Sequence, residues 1–141
     1  GELFAALLDH TILGRLAAGR AHDDDGFARG VAAARSAHEA GAGPGDLMNL
    51  VFSARTRVLA GGLREGAVAS YLSGLLIGAE LAAMRPYWLG QQVALIGAES
   101  LSRAYADALA MQSVPCHSAG VEDMTLAGLT AAYTQIFGET A

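Results

Sequence analysis

The stretch VALIGAESLSRAYADAL, residues 93 to 109, decides how this chain is read. Val93 to Ile96 form a short apolar strand, Gly97 breaks it, and the chain turns at once into an amphipathic helix. Leu101, Ala104, Tyr105, Ala108 and Leu109 fall at positions i, i+3, i+4, i+7 and i+8, the clearest helical period in the sequence. Beyond it, Val114 to about Ala119 reads as a second short strand. Glu122-Asp123 then opens a last helix carrying the small residues Ala127, Gly128, Ala131 and Ala132. The end of the chain is therefore β-α-β-α. Strands joined in this way pair in parallel through a right-handed crossover, which puts Gly97-Ala98 at the carboxyl edge of a sheet, where ligands of open α/β folds bind. Gly97 lets the backbone approach a flat group with no Cβ in the way, and the free N–H groups of Glu99 to Leu101 suit a polar oxygen. A tight corner with no ligand fits the same residues.

Upstream the pattern is helical. A first helix is expected over roughly Glu2 to Asp9, and Thr11 caps a short turn carrying Ile12, Leu13 and Leu16. Asp23, Asp24 and Asp25 stand where a helix dipole favours negative charge, ahead of a helix with Phe27, Val31 and Ala34 that runs to about Ala40. We read this triplet as a capped, solvated helix start in preference to a magnesium site. In GAGPGD, residues 41 to 46, Gly41 fits a helix C-cap, Pro44-Gly45 a turn and Asp46 the next N-cap, so the segment is a connector rather than a phosphate cradle. The following helix presents Leu47, Leu50, Val51, Ala54 and Val58 and ends at Gly61-Gly62. Arg55 and Arg57 lie elsewhere on its wheel, where either could reach a phosphate, but surface or ion-paired roles are preferred.

A fourth helix, about Arg64 to Met84, carries Val68, Leu72, Leu75, Leu76 and Ala79 as its apolar face. Ser70, Gly74, Gly78 and Ala82 recur every four residues. Interior glycine costs about 1 kcal/mol against alanine, so this stripe requires a neighbour close against the backbone, whether helix, sheet or ligand; close packing is the simplest. Pro86 ends the helix, Tyr87-Trp88 begins the return, and Trp88 is a core anchor or part of a seam between domains.

Composition narrows the function. At 141 residues one compact domain is expected. Hydrophobic residues make up 52%, interrupted by polar ones, and the longest apolar run, around Leu75 to Ile77, falls well short of a bilayer span of about 20 residues, so no span is expected. The net charge is −5, and nothing draws nucleic acid or anionic lipid. All nine basic residues are Arg. Without Lys there is no G-x-x-x-x-G-K-[ST] phosphate loop and no Schiff-base chemistry within this segment. Cys116 is the single cysteine, and His10, His22, His38 and His117 lack metal-ligand spacing. Cys116 and His117 are neighbours on a strand and point to opposite faces, so they are structural rather than a nucleophile and its base. The chain opens on Gly1-Glu2 without Met or signal peptide, and we expect a segment cut from a longer chain, of a cytoplasmic protein. A parallel strand pair rarely stands alone, which leads us to expect further strands in chain preceding Gly1.

Four stretches carry a resemblance: GELFAALLDHTILGRL (1 to 16), NLVFSARTRVLAGGL (49 to 63), ASYLSGLLIGAEL (69 to 81) and VALIGAESLSRAYADALA (93 to 110). In this order they are similar to the C-terminal part of the 2-keto-3-deoxygalactonokinase (2-dehydro-3-deoxygalactonokinase) family, over nearly the whole chain. The resemblance implies a helix-rich α/β fold, an RNase H-like, actin-like ATPase C-terminal domain with a partial sheet and a parallel β-α-β-α end. Residues 1–141 would be the nucleotide-binding domain of a longer two-domain kinase whose lobes close on ATP and magnesium. The family transfers the γ-phosphate to the 6-hydroxyl of 2-keto-3-deoxygalactonate in the De Ley–Doudoroff route.

In that fold the strand-Gly-small turn lies against adenosine, and the matching cofactor-binding positions are Gly97, Ala98, Glu99 and Ser100. Related kinases often place a second glycine where Ala98 stands, so its methyl has to fit beside the nucleotide. The family's Thr-Gly-Glu is matched only by Gly1-Glu2. Its phosphate-binding hairpins and acidic base have no match here, no catalytic or metal-binding residue is assigned, and the isolated segment is expected to be inactive. Implied partners are the sugar acid, ATP and an N-terminal lobe, with no nucleic acid and no membrane; a homo-oligomer stays open. Two rival readings stand beside this one: a non-catalytic helical interaction module docking through the Ser70, Gly74, Gly78 and Ala82 stripe, and a kinase of the same fold acting on another sugar.

Overall fold

A helix that is apolar on nearly every side has to be surrounded, and Val68–Ala83 (α5) is the centre of the first part of the molecule. The structure, a computed structural model, describes residues 1–43 and 46–138. Where the sequence leads to one unit, the chain divides into two, Gly1–Leu89 and Gly90–Ala141.

The first unit consists of α1 (Glu2–His10), α2 (Ile12–Leu16), α3 (Asp24–Glu39), α4 (Asp46–Leu59), a 3-10 turn (Glu65–Ala67), α5 and α6 (Arg85–Trp88). Thr11 caps α2 as expected, its hydroxyl oxygen accepting from the Leu13 N–H at 3.1 Å. Asp23 caps α3 by accepting from Gly26 N–H at 2.7 Å. Tyr71, Leu72 and Leu75 of α5 are fully buried, together with Leu13, Val51 and Ala54 from α2 and α4. Each leucine or valine among them contributes about 1.5–3 kcal/mol relative to leaving it in water.

The small-residue stripe of α5 is occupied by α3. A methyl group built on Gly78 would come within 2.9 Å of Val31 Cα, one on Gly30 within 2.8 Å of the Leu75 nitrogen, and one on Gly74 would overlap the Phe27 carbonyl. Ser70 Oγ accepts from the Asp23 N–H at 2.8 Å at the head of the same seam. The neighbour that the stripe required is thus a helix of the same unit. Because α3 covers this side as well, the buried surface of α5 extends well beyond the expected face, while Leu76 and Ala79 are only half-buried.

Some boundaries differ from expectation. Asp46 is the first residue of α4 rather than its N-cap; its carboxylate accepts from Gly43 N–H at 2.8 Å. The turn expected at Pro44-Gly45 lies outside the described residues. Helix α5 ends at Ala83, and Pro86 sits in the first turn of α6, where proline's missing N–H costs nothing. Trp88 is a core anchor of this unit, its Nε1–H donating to Leu81 O at 2.9 Å and so satisfying a carbonyl in the last turn of α5. By length and composition Glu65–Ala83 could cross a bilayer, although its longest unbroken apolar run is short; about two thirds of it is buried inside the fold, as befits a core helix.

The second unit is β1 (Val93–Ile96), α7 (Glu99–Ala110), β2 (Cys116–Ala119) and α8 (Val121–Phe137), the expected β-α-β-α order. The strands pair in parallel, Val93 beside Cys116 through Ile96 beside Ala119. Strand β2 begins two residues later than expected because Val114 N–H closes the end of α7 on Leu109 O at 3.1 Å and Pro115 has no N–H to give a ladder. Ala108 and Leu109 of α7 are buried, whereas Leu101 is exposed. Helix α8 buries no residue; Leu126, Leu129, Tyr133 and Ile136 are all exposed.

Candidate functional site

A parallel pair ends with both carboxyl edges on the same side, so the two strand-to-helix corners of the second unit are neighbours. Strand β1 leads into Gly97-Ala98 and strand β2 into Gly120. Ala98 and Gly120 are the N-cap residues of α7 and α8, and neither helix start is closed by a side-chain cap. The backbone at Gly97 does not need glycine, since its φ is not positive. A Cβ there would meet only Ser102 Oγ, at 3.4 Å, an ordinary contact.

A cavity of about 490 Å³ opens beside these corners. Of the four residues assigned to the corner from the sequence, Gly97 and Glu99 line it; Ala98 and Ser100 are exposed and do not. Ser102, Arg103 and Ala106 of α7 add a wall, and Ser118, Ala119 and Gly120 close the side of β2. Sequence reasoning missed this second group, although a signal was present: Gly97-Ala98-Glu99 after the first strand is echoed by Gly120-Val121-Glu122 after the second. Arg103 Nη2 donates to Glu99 Oε1 at 2.7 Å, one turn back on the same helix.

Other candidates resolve into structure. Asp23 is held below the usual carboxylate range, first by the Gly26 N–H it accepts and then by Arg64, whose Nη2 lies 2.7 Å from Oδ2. Arg57 stacks its guanidinium over the Tyr71 ring at 5.6 Å, while Arg55 is exposed. On β2, Cys116 is half-buried and His117 exposed. Among the described residues no group of three His, Cys, Asp or Glu could hold a metal ion. A second cavity, about 430 Å³, lies in the first unit between α3, α4 and α5; apart from His38 and Asp46 its walls are Ala, Gly and Leu.

A parallel β-α-β unit with a cavity at the carboxyl ends of its strands is an α/β ligand-binding architecture. Residues 1–132 match the model of the 2-keto-3-deoxy-galactonokinase family, and the chain belongs to that family. It is 32% identical over 117 residues to the 2-dehydro-3-deoxygalactonokinase of Escherichia coli (strain K12), covering 82% of this chain and 37% of that protein. To a protein of Rhizobium meliloti (strain 1021), provisionally named 2-dehydro-3-deoxygalactonokinase DgoK1, it is 34% identical over 139 residues, 97% of this chain and 44% of that one. A crystal structure provisionally assigned to the same enzyme, from Sinorhizobium meliloti, superposes with a TM-score of 0.80 at 30% identity, covering 97% of this chain and 45% of the other. The chain thus spans less than half the length of these relatives.

Proposed function

We propose that this chain is the C-terminal, nucleotide-binding part of an ATP-dependent kinase that phosphorylates 2-dehydro-3-deoxy-D-galactonate at its 6-hydroxyl, with the Gly97 corner against adenosine. Family membership supports the reaction class. The observation that carries the local assignment is that Gly97 is free of any demand from the fold: its φ is ordinary, and the space beside it is open and faces a cavity at the carboxyl ends of parallel strands. A glycine that neither a turn nor close packing requires is one that an approaching ligand explains. Adenosine contact is assigned to Gly97 and Glu99, with Ala98 and Ser100 at the rim.

In this reading the second unit belongs to an RNase H-like, actin-like ATPase domain, and its sheet is completed by strands outside these residues. Two parallel strands bury little by themselves, and the exposed apolar side chains of α8 suit such a cover. The phosphate-binding hairpins, the acidic base and the magnesium ligands are sought in an N-terminal lobe of the same protein, which acts in the cytoplasm. The interaction-module alternative loses its main feature, because Ser70, Gly74 and Gly78 of the stripe are spent on α3 and its cap and Ala82 is buried.

The test is to assay the intact protein with ATP and magnesium against a panel of 2-keto-3-deoxy sugar acids. Phosphorylation of 2-dehydro-3-deoxygalactonate with the highest kcat/KM is expected. Preference for a different acid would retain the kinase and replace the substrate, and no ATP-dependent phosphorylation of any member would overturn the reading.

A further inference from the structure

Among the described residues that line the cavity beside Gly97, Arg103 is the only cation and Glu99 the only anion. The two are paired at 2.7 Å, so the cavity presents no net positive charge. The uncapped starts of α7 and α8 offer backbone N–H groups to an anion, but Glu99 stands in the first turn of α7 and Glu122 and Asp123 in that of α8, and this acidic charge opposes a polyphosphate at the corner. The remaining wall residues are small: Gly97, Ser102, Ala106, Ser118 and Gly120 among them. A smooth wall of small side chains and a neutralised guanidinium suits a flat, uncharged ring. Glu99 accepts one N–H of the guanidinium in an exposed i,i+4 pair, which biases its orientation and leaves the planar group accessible for stacking. A volume of about 490 Å³ admits a nucleoside-sized body.

We propose that Arg103 is a specificity-determining residue of this corner, its guanidinium forming the wall on which the base of the nucleotide lies, and that Glu99 is the positioning residue that holds it there. The inference rests on the nucleotide reading given above and deepens it: the site grips the nucleoside end, and the phosphates are held elsewhere. No protein group other than Arg103 in this cavity offers a cationic plane.

The experiment measures binding of adenosine, AMP, ADP and ATP to the intact protein by calorimetry, for the parent and for Arg103→Ala, Arg103→Lys and Glu99→Gln, with circular dichroism to verify folding. Arg103→Ala is expected to weaken all four ligands by a similar factor, roughly ten-fold. Arg103→Lys restores little, because an ammonium has no flat face. Glu99→Gln weakens all four by a smaller, equal factor. A loss that grows from adenosine to ATP and is repaired by Lys would mean a phosphate contact and would overturn the inference, as would unchanged binding in Arg103→Ala. Gly97→Val and Gly120→Val separate the two levels. If they weaken ATP binding about ten-fold or more while Arg103→Ala does not, only the role of Arg103 falls; if they too leave ATP binding intact, the nucleotide reading itself falls.

Discussion

Gly74 lies so close to Phe27 that a methyl group on Gly74 would overlap the Phe27 carbonyl oxygen and stand 3.0 Å from its carbonyl carbon. In an open helix, Gly→Ala gains about 1 kcal/mol; here the sign is reversed, because two backbones must separate. Gly74→Ala is expected to destabilise the protein by roughly 1–3 kcal/mol, the usual cost of forcing atoms into a filled core. Urea unfolding followed by Trp88 fluorescence checks this, and equal or greater stability would show that α3 and α5 can part cheaply.

Gly97 should behave in the opposite way. A Cβ there meets no more than Ser102 Oγ, so Gly97→Val is expected to cost the fold far less than Gly74→Ala. In the intact enzyme it should raise the KM for ATP strongly, by about ten-fold or more, with sugar-acid affinity nearly constant. Steady-state kinetics with each substrate varied in turn decide the matter; unchanged ATP kinetics would remove adenosine from this corner.

The Asp23 cap makes stability depend on acid. Its carboxyl titrates below the ordinary value of 3.8 in the folded protein, chiefly because the charged form accepts the Gly26 N–H and next because Arg64 faces it. A depressed folded value means that the stabilisation is fully present above 3.8 and is lost as pH falls through the lower, folded value. Asp23→Ala should therefore lower the melting temperature near neutral pH, and the gap from the parent should narrow in strongly acidic buffer. A gap that stays constant with pH would show that the cap acts without its charge.

Leu129 on α8 is exposed. For the 141-residue chain alone, Leu129→Asp should leave thermal stability as it is. In the intact protein, where we propose that further strands cover this helix, the same change should cost about 1.5–3 kcal/mol. Equal stability of the intact parent and variant would argue against that cover.

Periodicity carried much of the fold. The corner at Gly97, the parallel pairing, the Thr11 cap and the boundaries of α3 were legible because each depends on residues close in sequence. The division at Gly90 was not, since nothing local separates a turn within a unit from a junction between units. The partner of the glycine stripe was equally hidden: Gly74 and Phe27 lie 47 positions apart, and spacing shows that a close neighbour exists without saying which. For the site, one strand-Gly-helix corner was read and its echo at Gly120 was not, so Ser118, Ala119 and Arg103 went unassigned. Nothing in the sequence marks Arg103, because its place in a cavity shared with β2 arises only when the strands align.

Glycines such as Gly30, Gly74 and Gly78 are demanded by the packing of two helices, whereas Gly97 is demanded by nothing inside the molecule. In a saturation library scored once for cellular abundance and once for growth on the sugar acid, the first group should be depleted in both screens. Replacements at Gly97 should be tolerated in the first screen and lost in the second, so that drift under relaxed selection would erode this position while the protein still accumulated.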